Sequence, residues 1–121
     1  MPNRATVNLI LHIAEREAWE RAMAGGVYRV ESLDREGFIH CSKPDQIVRV
    51  ADARFRGRSG LVLLCIAAER VQYEIRYEGH GDGPLFPHIY GPLNVDAVVE
   101  VLDFAPGEDG RFALPPELRG D

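Results

Sequence analysis

Three of the four histidines, His12, His40 and His88, stand where a predicted strand ends or a loop begins. Imidazole transfers protons near neutral pH and binds metals, so histidines at strand ends are candidates for chemistry. A single histidine in such a place more often makes structural hydrogen bonds. Three of them favour a shared cleft, with His12 and His40 on two strands of one sheet and His88 closing over them. We therefore take all three as candidate catalytic residues.

A phosphate-binding helix N-terminus is predicted directly after His40. The strand ending at Cys41 leads into Ser42, a potential helix cap, with Pro44 suited to a first turn and Asp45 three residues after the cap. Free backbone N–H groups, the Ser42 hydroxyl and the Lys43 ammonium would together suit a phosphate. The alternative is a cap with no ligand. Walker-type and dinucleotide-fold glycine patterns are absent from the sequence.

Other chemistry is less well supported. Cys41 follows His40 directly, but neighbouring residues of a strand point to opposite faces, so His40 cannot activate that thiol. Cys41 and Cys65 are predicted to be reduced and buried. Three imidazoles can hold zinc, yet their spacing matches no compact metal motif, and no metal is predicted. A basic cluster either forms a solvated face or binds a second phosphate or an acidic partner: Arg49, Arg54, Arg56 and Arg58.

The predicted elements are mostly strands. A helix is expected over Glu15–Ala24, where Trp19, Ala22 and Met23 form an apolar stripe, and a second helix from Ser42 to about Phe55. A turn is expected at Asp34–Gly37. The strands follow apolar runs or alternation, and Val71, Tyr73, Ile75 and Tyr77 should share a buried face. The predicted strands are Thr6–Ile13, Tyr28–Val30, Phe38–Cys41, Leu61–Ala67, Val71–Tyr77 and Val98–Phe104.

The predicted order is β-α-β-β-α-β-β-β-β, which counts one strand more than the six with stated bounds, and it predicts an α+β fold. Strands outnumber helices and do not alternate with them, which favours two helices packed on a split, largely antiparallel or mixed sheet. Between Gly79 and Pro92 lies a loop dense in Gly and Pro with a short apolar centre, and long loops in compact domains are often functional. The core should span about residues 6–104, followed by a Gly/Pro-rich tail at 105–121.

Length and composition indicate one domain over residues 1–121. The chain is 45% apolar and 27% charged, as is typical of globular proteins. A net charge of −5 argues against broad nucleic-acid or lipid binding, so RNA is a less favoured partner and any anion site should be local. The apolar run near the N-terminus is too short to span a membrane. We expect a cytoplasmic protein with no membrane partner, and the sequence carries no signal for an oligomeric state.

Three motifs resemble those of a bacterial family known as domain of unknown function 952. They are Leu9–Ile13, Glu36–Ser42 and Phe86–Asn94, and the resemblance extends from His12 to about Val101. That family is distantly similar to the ADP-ribosyltransferase superfamily, including its RNA 2′-phosphotransferase branch. Members of the superfamily bind NAD in a cleft of a small split sheet. The resemblance therefore implies the same type of fold and NAD as a substrate.

The resemblance also implies roles for individual residues. His12 would hold the nicotinamide ribose. His40 and Ser42 would line the second-strand position that supports the ribose or nicotinamide, and His88 with Tyr90 would come from the third motif. Lys43 and Asn94 complete the expected ligand-binding set. The third motif contains no Glu, and the nearest acids are Glu78 and Asp96. That departure argues against protein ADP-ribosylation and favours a phosphotransferase-like or small-nucleotide role, or a binding role without turnover.

Three hypotheses follow from the sequence. The first is an NAD- or nucleotide-binding enzyme that transfers a group from its ligand through a histidine-lined cleft. The second is a non-catalytic ligand-binding or protein-interaction module. The third, less favoured, is a metal-dependent hydrolase.

Overall fold

A computed structural model of the chain describes residues 8–119, in which eight strands and three α-helices alternate irregularly. The helices are α1 (Arg16–Gly25), α2 (Glu31–Glu36) and α3 (Ile47–Arg54). Short 3₁₀ turns cover Ala68–Arg70, Val95–Ala97 and Pro116–Leu118. The strands are β1 (Leu9–Glu15), β2 (Val27–Tyr28), β3 (Ile39–His40), β4 (Leu61–Ala67), β5 (Ile75–Glu78), β6 (Phe86–Ile89), β7 (Leu93–Asn94) and β8 (Val98–Asp103).

All strand pairs of the described region are antiparallel. One sheet has the order β1-β4-β8, a second has the order β3-β6-β5, and β2 pairs with β7. A single bridge joins the two larger sheets: Leu11 N–H donates to the Ser42 carbonyl at 2.7 Å, and Ser42 N–H donates to the Leu11 carbonyl at 2.8 Å. The α+β class with antiparallel sheets is therefore confirmed, with three helices rather than two.

Strand β4 lies at the centre of the core. All seven of its residues are buried, as expected for an apolar run covered on both faces. Its two faces belong to separate apolar clusters. One contains Trp19, Tyr28, Ile39, Val62, Leu64, Ile66 and Ile89, and the other contains Ile47, Ala51, Leu61, Leu63, Cys65, Phe104 and Phe112.

The predicted start of α3 is wrong. The helix begins at Ile47, and Ser42 makes no cap, because both backbone groups of Ser42 are used in the bridge to Leu11 and hold it in an extended conformation. A turn separates the bridge from the helix, where the Gln46 side-chain carbonyl accepts a hydrogen bond from Lys43 N–H at 2.8 Å.

Helix α2 is not predicted by the sequence, because only the turn at its end carries a signal. The helix has six residues and no buried side chain, so it shows no apolar stripe. It ends at Gly37, whose φ of 90° is the left-handed conformation that glycine adopts without a Cβ clash.

Several strand boundaries also differ from expectation. Strand β1 runs from Leu9 to Glu15, while the predicted positions Thr6 and Val7 lie outside the described residues. Strand β5 begins only at Ile75, and Tyr73 and Tyr77 are about half exposed instead of sharing a buried face. The predicted buried face is therefore wrong, because the strand is short and its sheet leaves both tyrosines uncovered.

The Gly/Pro-rich segments are more ordered than predicted. The loop over 79–92 contains β6, whose Ile89 is fully buried. The predicted tail adds Phe112 to the core, where its ring stacks on Phe104 with centroids 4.7 Å apart and its N–H donates to Asp52 at 2.8 Å. The core thus extends beyond residue 104.

The connection between β5 and β6 supplies a test of the fold. A Cβ on Gly79 would lie 2.3 Å from the Pro84 carbonyl oxygen, so Gly79→Ala forces the backbone apart. We expect a loss of about 1–3 kcal/mol in the free energy of unfolding, measured by urea denaturation. Gly25→Ala is the matched control, since nothing lies within 4 Å of its added methyl group. An equal effect of both substitutions would contradict the close approach of Gly79 to Pro84.

Candidate active site

His12 lies at the junction of three elements. Its side chain on β1 is buried, with Nδ1–H donating to the His40 carbonyl of β3 at 2.5 Å and the Tyr28 hydroxyl of β2 donating to Nε2 at 2.9 Å. Burial disfavours the charged imidazole and lowers the pKa of His12 to about 4. At neutral pH His12 is a neutral side chain with both ring nitrogens engaged.

His40 and His88 face each other across neighbouring strands. They are register partners on β3 and β6, with ring centroids 5.3 Å apart and ring planes at 79°. Phe38 stacks on His88 at a centroid distance of 4.1 Å and meets the edge of His40 at 4.8 Å. The two imidazoles and the phenyl ring therefore form one aromatic group on the outer face of the sheet. His12 and His40 belong to different sheets, contrary to prediction.

Each of the two facing imidazoles is hydrogen-bonded to a carboxylate. His40 Nε2 lies 2.8 Å from Glu36 Oε1, and His88 Nδ1 lies 2.8 Å from Glu78 Oε1. The Tyr90 hydroxyl also donates to Glu78, at 2.6 Å. The hydrogen bond from His40 lowers the pKa of Glu36, and those from Tyr90 and then His88 lower the pKa of Glu78. Both acids are thus stabilised as carboxylates, and each imidazole directs its other nitrogen away from its acid.

These groups border a cleft with a volume of about 1280 Å³. It lies between β1, α2, α3 and the loop after β5. Among its lining residues are four of the seven predicted site residues: His12, His40, Ser42 and His88. The structure therefore brings the three candidate histidines to one cleft.

Four arginines also line the cleft. Arg29 pairs with Asp34 at 3.0 Å, Arg35 with Glu31 at 3.3 Å, and Arg58 with Glu15 at 3.0 Å. Within residues 8–119, Arg54 has no ion-pair partner. Of the predicted basic cluster, Arg54 and Arg58 border the cleft, while Arg49 and Arg56 do not.

The other three predicted ligand-binding residues do not line the cleft. Lys43 is exposed on the turn before α3, which begins only at Ile47. Tyr90 donates its hydroxyl to Glu78 and does not itself line the cleft. Asn94 is buried, with its amide donating to the Arg70 carbonyl at 2.9 Å and to Asp96 at 2.6 Å, while its carbonyl accepts from Gln72 N–H at 3.1 Å. Asn94 thus fixes the chain around residues 70–72.

Sequence reasoning misses the carboxylate partners of the histidines. Glu36 stands four residues before His40, but the sequence does not predict the helix that carries it. Glu78 is recognisable from the sequence only as an acid near the third motif. The alternation that puts Glu74 and Arg76 on one face of the predicted strand also puts Glu78 there. Antiparallel pairing of β5 with β6 sets Arg76 opposite His88, and Glu78 is the next residue along β5 on that face.

The two cysteines are free and buried. Ile39 and Cys41 are buried while His40 is exposed, as strand alternation requires, and burial raises the pKa of the Cys41 thiol. The Cys41 thiol is therefore not an activated nucleophile.

The described part of the chain contains neither a metal-binding cluster nor a membrane-spanning helix. In residues 8–119, no group of three His, Cys, Asp or Glu side chains is arranged to hold a metal ion. None of the helices in that range has the length and apolar character needed to cross a membrane.

Fold and site together define a small α+β protein in which two antiparallel sheets meet at a histidine-lined cleft. The chain belongs to the family described as "Protein of unknown function (DUF952)", whose model matches residues 13–101. The family predicted from the three motifs is thereby confirmed.

Solved structures of protein CC0527 from Caulobacter crescentus are similar to this chain. The X-ray crystal structure has 35% sequence identity and a TM-score of 0.82, with 91% of this chain and 97% of that chain covered. The solution NMR structure gives a TM-score of 0.75 at 35% identity, with 86% and 90% covered. No curated protein matches the chain significantly.

The environment of His12 makes a direct prediction. Its imidazole should become protonated only near pH 4, whereas the ordinary histidine value is 6.5. Since the unfolded chain takes up the proton first, this group stabilises the fold above pH 6.5, and its contribution falls as pH drops from 6.5 to 4, by about 3 kcal/mol in all.

NMR titration of the imidazole signals measures the first effect, and urea denaturation at a series of pH values measures the second. His12→Gln is the control, because it cannot titrate and should lose less stability over this pH range than the wild type. A His12 signal that titrates above pH 6 would contradict the buried, neutral imidazole.

Proposed function

We propose that this protein binds NAD or a related nucleotide in the histidine-lined cleft and transfers a group from it. The observation that carries the proposal is the convergence of imidazoles, an aromatic face and arginines on one cleft of about 1280 Å³. Small-molecule sites typically enclose about 300–1000 Å³, so there is room for a dinucleotide. The resemblance to the ADP-ribosyltransferase superfamily points to the same ligand class.

The phosphates of the ligand would bind beside Arg54. This arginine follows Ile47 and Val50 on the cleft face of α3 and is free of an ion pair within the described region. A guanidinium group binds phosphate oxygens with two parallel hydrogen bonds, a geometry that Lys43 could not supply even if it faced the cleft.

The sugar and base would lie against His40, His88 and Phe38. The free ring nitrogens of the two imidazoles can exchange hydrogen bonds with ribose hydroxyls, and an aromatic face can stack on a base. Both nitrogens of His12 are already engaged, so we assign His12 to positioning His40 rather than to holding the ribose directly.

Glu78 and Glu36 would support the transfer step. Departure of nicotinamide leaves positive charge on the ribose carbon, and a carboxylate held in place beside that carbon stabilises the charge. The third motif contains no Glu, but Glu78 of the neighbouring strand places an acid within hydrogen-bonding distance of His88 and Tyr90. We favour a phosphate or a small nucleotide as the acceptor.

Calorimetric titration tests the ligand class. We expect NAD and ADP-ribose to release heat on binding to the purified protein. Arg54→Gln should weaken binding tenfold or more, because it removes hydrogen bonds to a charged group worth about 1.5–3 kcal/mol. Arg49→Gln, on the same helix but away from the cleft, should leave the affinity unchanged.

Chromatography of NAD incubated with the protein tests the transfer. Release of nicotinamide would support an enzyme, and binding without release would assign the protein to the non-catalytic ligand-binding class. If NAD, ADP-ribose and simple nucleotides all give no heat with folded protein, the proposal is wrong.

A further inference from the structure

The cleft contains two imidazoles that are each backed by a carboxylate, Glu36 with His40 and Glu78 with His88. We propose that His40 and His88 act as a general acid–base pair that hydrolyses a small nucleotide phosphodiester without a metal ion. This activity is distinct from transfer of a group from NAD and does not depend on NAD binding.

Each histidine and its carboxylate form a dyad whose geometry prepares the imidazole to accept or donate a proton. Since an ionised carboxylate accepts a hydrogen bond, His88 carries its proton on Nδ1 toward Glu78, and the lone pair of Nε2 points away from that acid. His40 presents Nδ1 in the same way, because its Nε2 is directed at Glu36. A carboxylate that fixes the tautomer and orientation of a histidine is the arrangement that makes an imidazole an effective base.

The spacing of the two rings suits a reaction at one central atom. Their centroids are 5.3 Å apart and both residues line the same cleft, so one phosphate group bound there can contact both imidazoles. Phe38 contacts both imidazoles and restricts their rotation. The pair is therefore held in place by packing as well as by hydrogen bonds.

Two proton carriers are more than the loss of nicotinamide requires. Nicotinamide leaves NAD as a neutral molecule and needs no general acid. Hydrolysis of a phosphodiester needs both functions, because the attacking water must lose a proton and the departing alkoxide must gain one. Two histidines that are each backed by a carboxylate therefore fit phosphodiester hydrolysis better than the loss of nicotinamide.

The step balances without an oxidant, a reductant or a metal. Neutral His88 takes a proton from water as the oxygen of that water forms a bond to phosphorus. The bond from phosphorus to the ester oxygen breaks, and protonated His40 gives its proton to that oxygen. The products are a phosphomonoester and an alcohol, and proton exchange with solvent restores both imidazoles. His40 is assigned as the acid because its side chain is 47% exposed, against 13% for His88.

Cations near this pair supply the anion affinity. Arg35 and Arg54 act electrostatically on Glu36, which places positive charge beside the Glu36–His40 dyad. The net charge of −5 opposes binding of long polyanions. A small substrate such as a ribonucleoside 2′,3′-cyclic phosphate fits both observations.

The test is incubation of the purified protein with ribonucleoside 2′,3′-cyclic phosphates in EDTA, followed by phosphorus NMR. We expect conversion to the nucleoside monophosphate. His40→Asn and His88→Asn should each lower the rate by about 10²–10⁴-fold. Thermal unfolding of each variant, compared with wild type, verifies that it is folded.

Glu78 is a positioning residue in this scheme, and the pH profile of the rate tests that role. The groups facing His88 are Glu78 and Arg76 from β5, Tyr90, and His40 from β3, while Glu36 faces His40. Glu78→Gln removes the negative charge beside His88, so the acidic limb of the profile should move to lower pH as well as the rate falling. Glu20→Gln is the matched control, because Glu20 is exposed on α1 and does not line the cleft, so the pH profile should stay unchanged.

The outcomes separate the two proposals. Turnover of the cyclic phosphate without any heat from NAD would support the acid–base pair and overturn NAD binding. Heat from NAD with no turnover of the cyclic phosphate by folded protein would overturn the acid–base pair alone. Turnover that persists in a folded His40→Asn/His88→Asn double variant would also overturn it, since the activity would then arise elsewhere.

Discussion

The hydrogen bonds of the His12 imidazole are the constraint on which the site depends. One buried ring joins β1 to the backbone of β3 and to Tyr28 of β2, so three elements that share no sheet meet at one side chain. Only a neutral imidazole offers a donor to the His40 carbonyl and an acceptor to the Tyr28 hydroxyl at the same time. Burial keeps the His12 imidazole neutral, and its two hydrogen bonds require the neutral form, so burial and hydrogen bonding stabilise the same protonation state.

The Leu11–Ser42 bridge extends the same junction through the backbone. It holds the segment after His40 in an extended conformation and carries it against β1, which places the outer face of β3 at the cleft. The bridge also delays the start of α3 to Ile47. The same bridge thus brings β3 to the cleft and leaves Ser42 outside the helix N-terminus that the sequence predicts as a phosphate site.

Sequence patterns predicted the parts of the fold that depend on local composition. The apolar run Leu61–Ala67 matched β4 at both ends, because a strand buried on both faces leaves a continuous signal. Helix α2 and the carboxylate partners depend on tertiary contacts and left no comparable signal. The three histidines are identifiable from the sequence because an imidazole at the end of a strand is a candidate for chemistry, whereas Glu78 can be placed near His88 only once β5 and β6 are known to pair. The predicted helix cap at Ser42 is wrong for the same reason. Serine is a suitable residue type for a cap, but a long-range bridge fixes the backbone of Ser42.

Charge in the cleft is arranged locally and differs from that of the whole chain. The net charge of −5 would suggest repulsion of an anion, but charges farther away than about 10 Å are screened at physiological salt. Four arginines and four glutamates line the cleft, and Glu15 and Glu31 neutralise two of those arginines while Glu36 and Glu78 bind the imidazoles. Arg29 pairs with Asp34. Of the four arginines that line the cleft, Arg54 alone has no ion pair within residues 8–119, so an anionic ligand would meet a guanidinium that is free to bind it beside two oriented histidines. The local arrangement, and not the total charge, decides which ligand can bind.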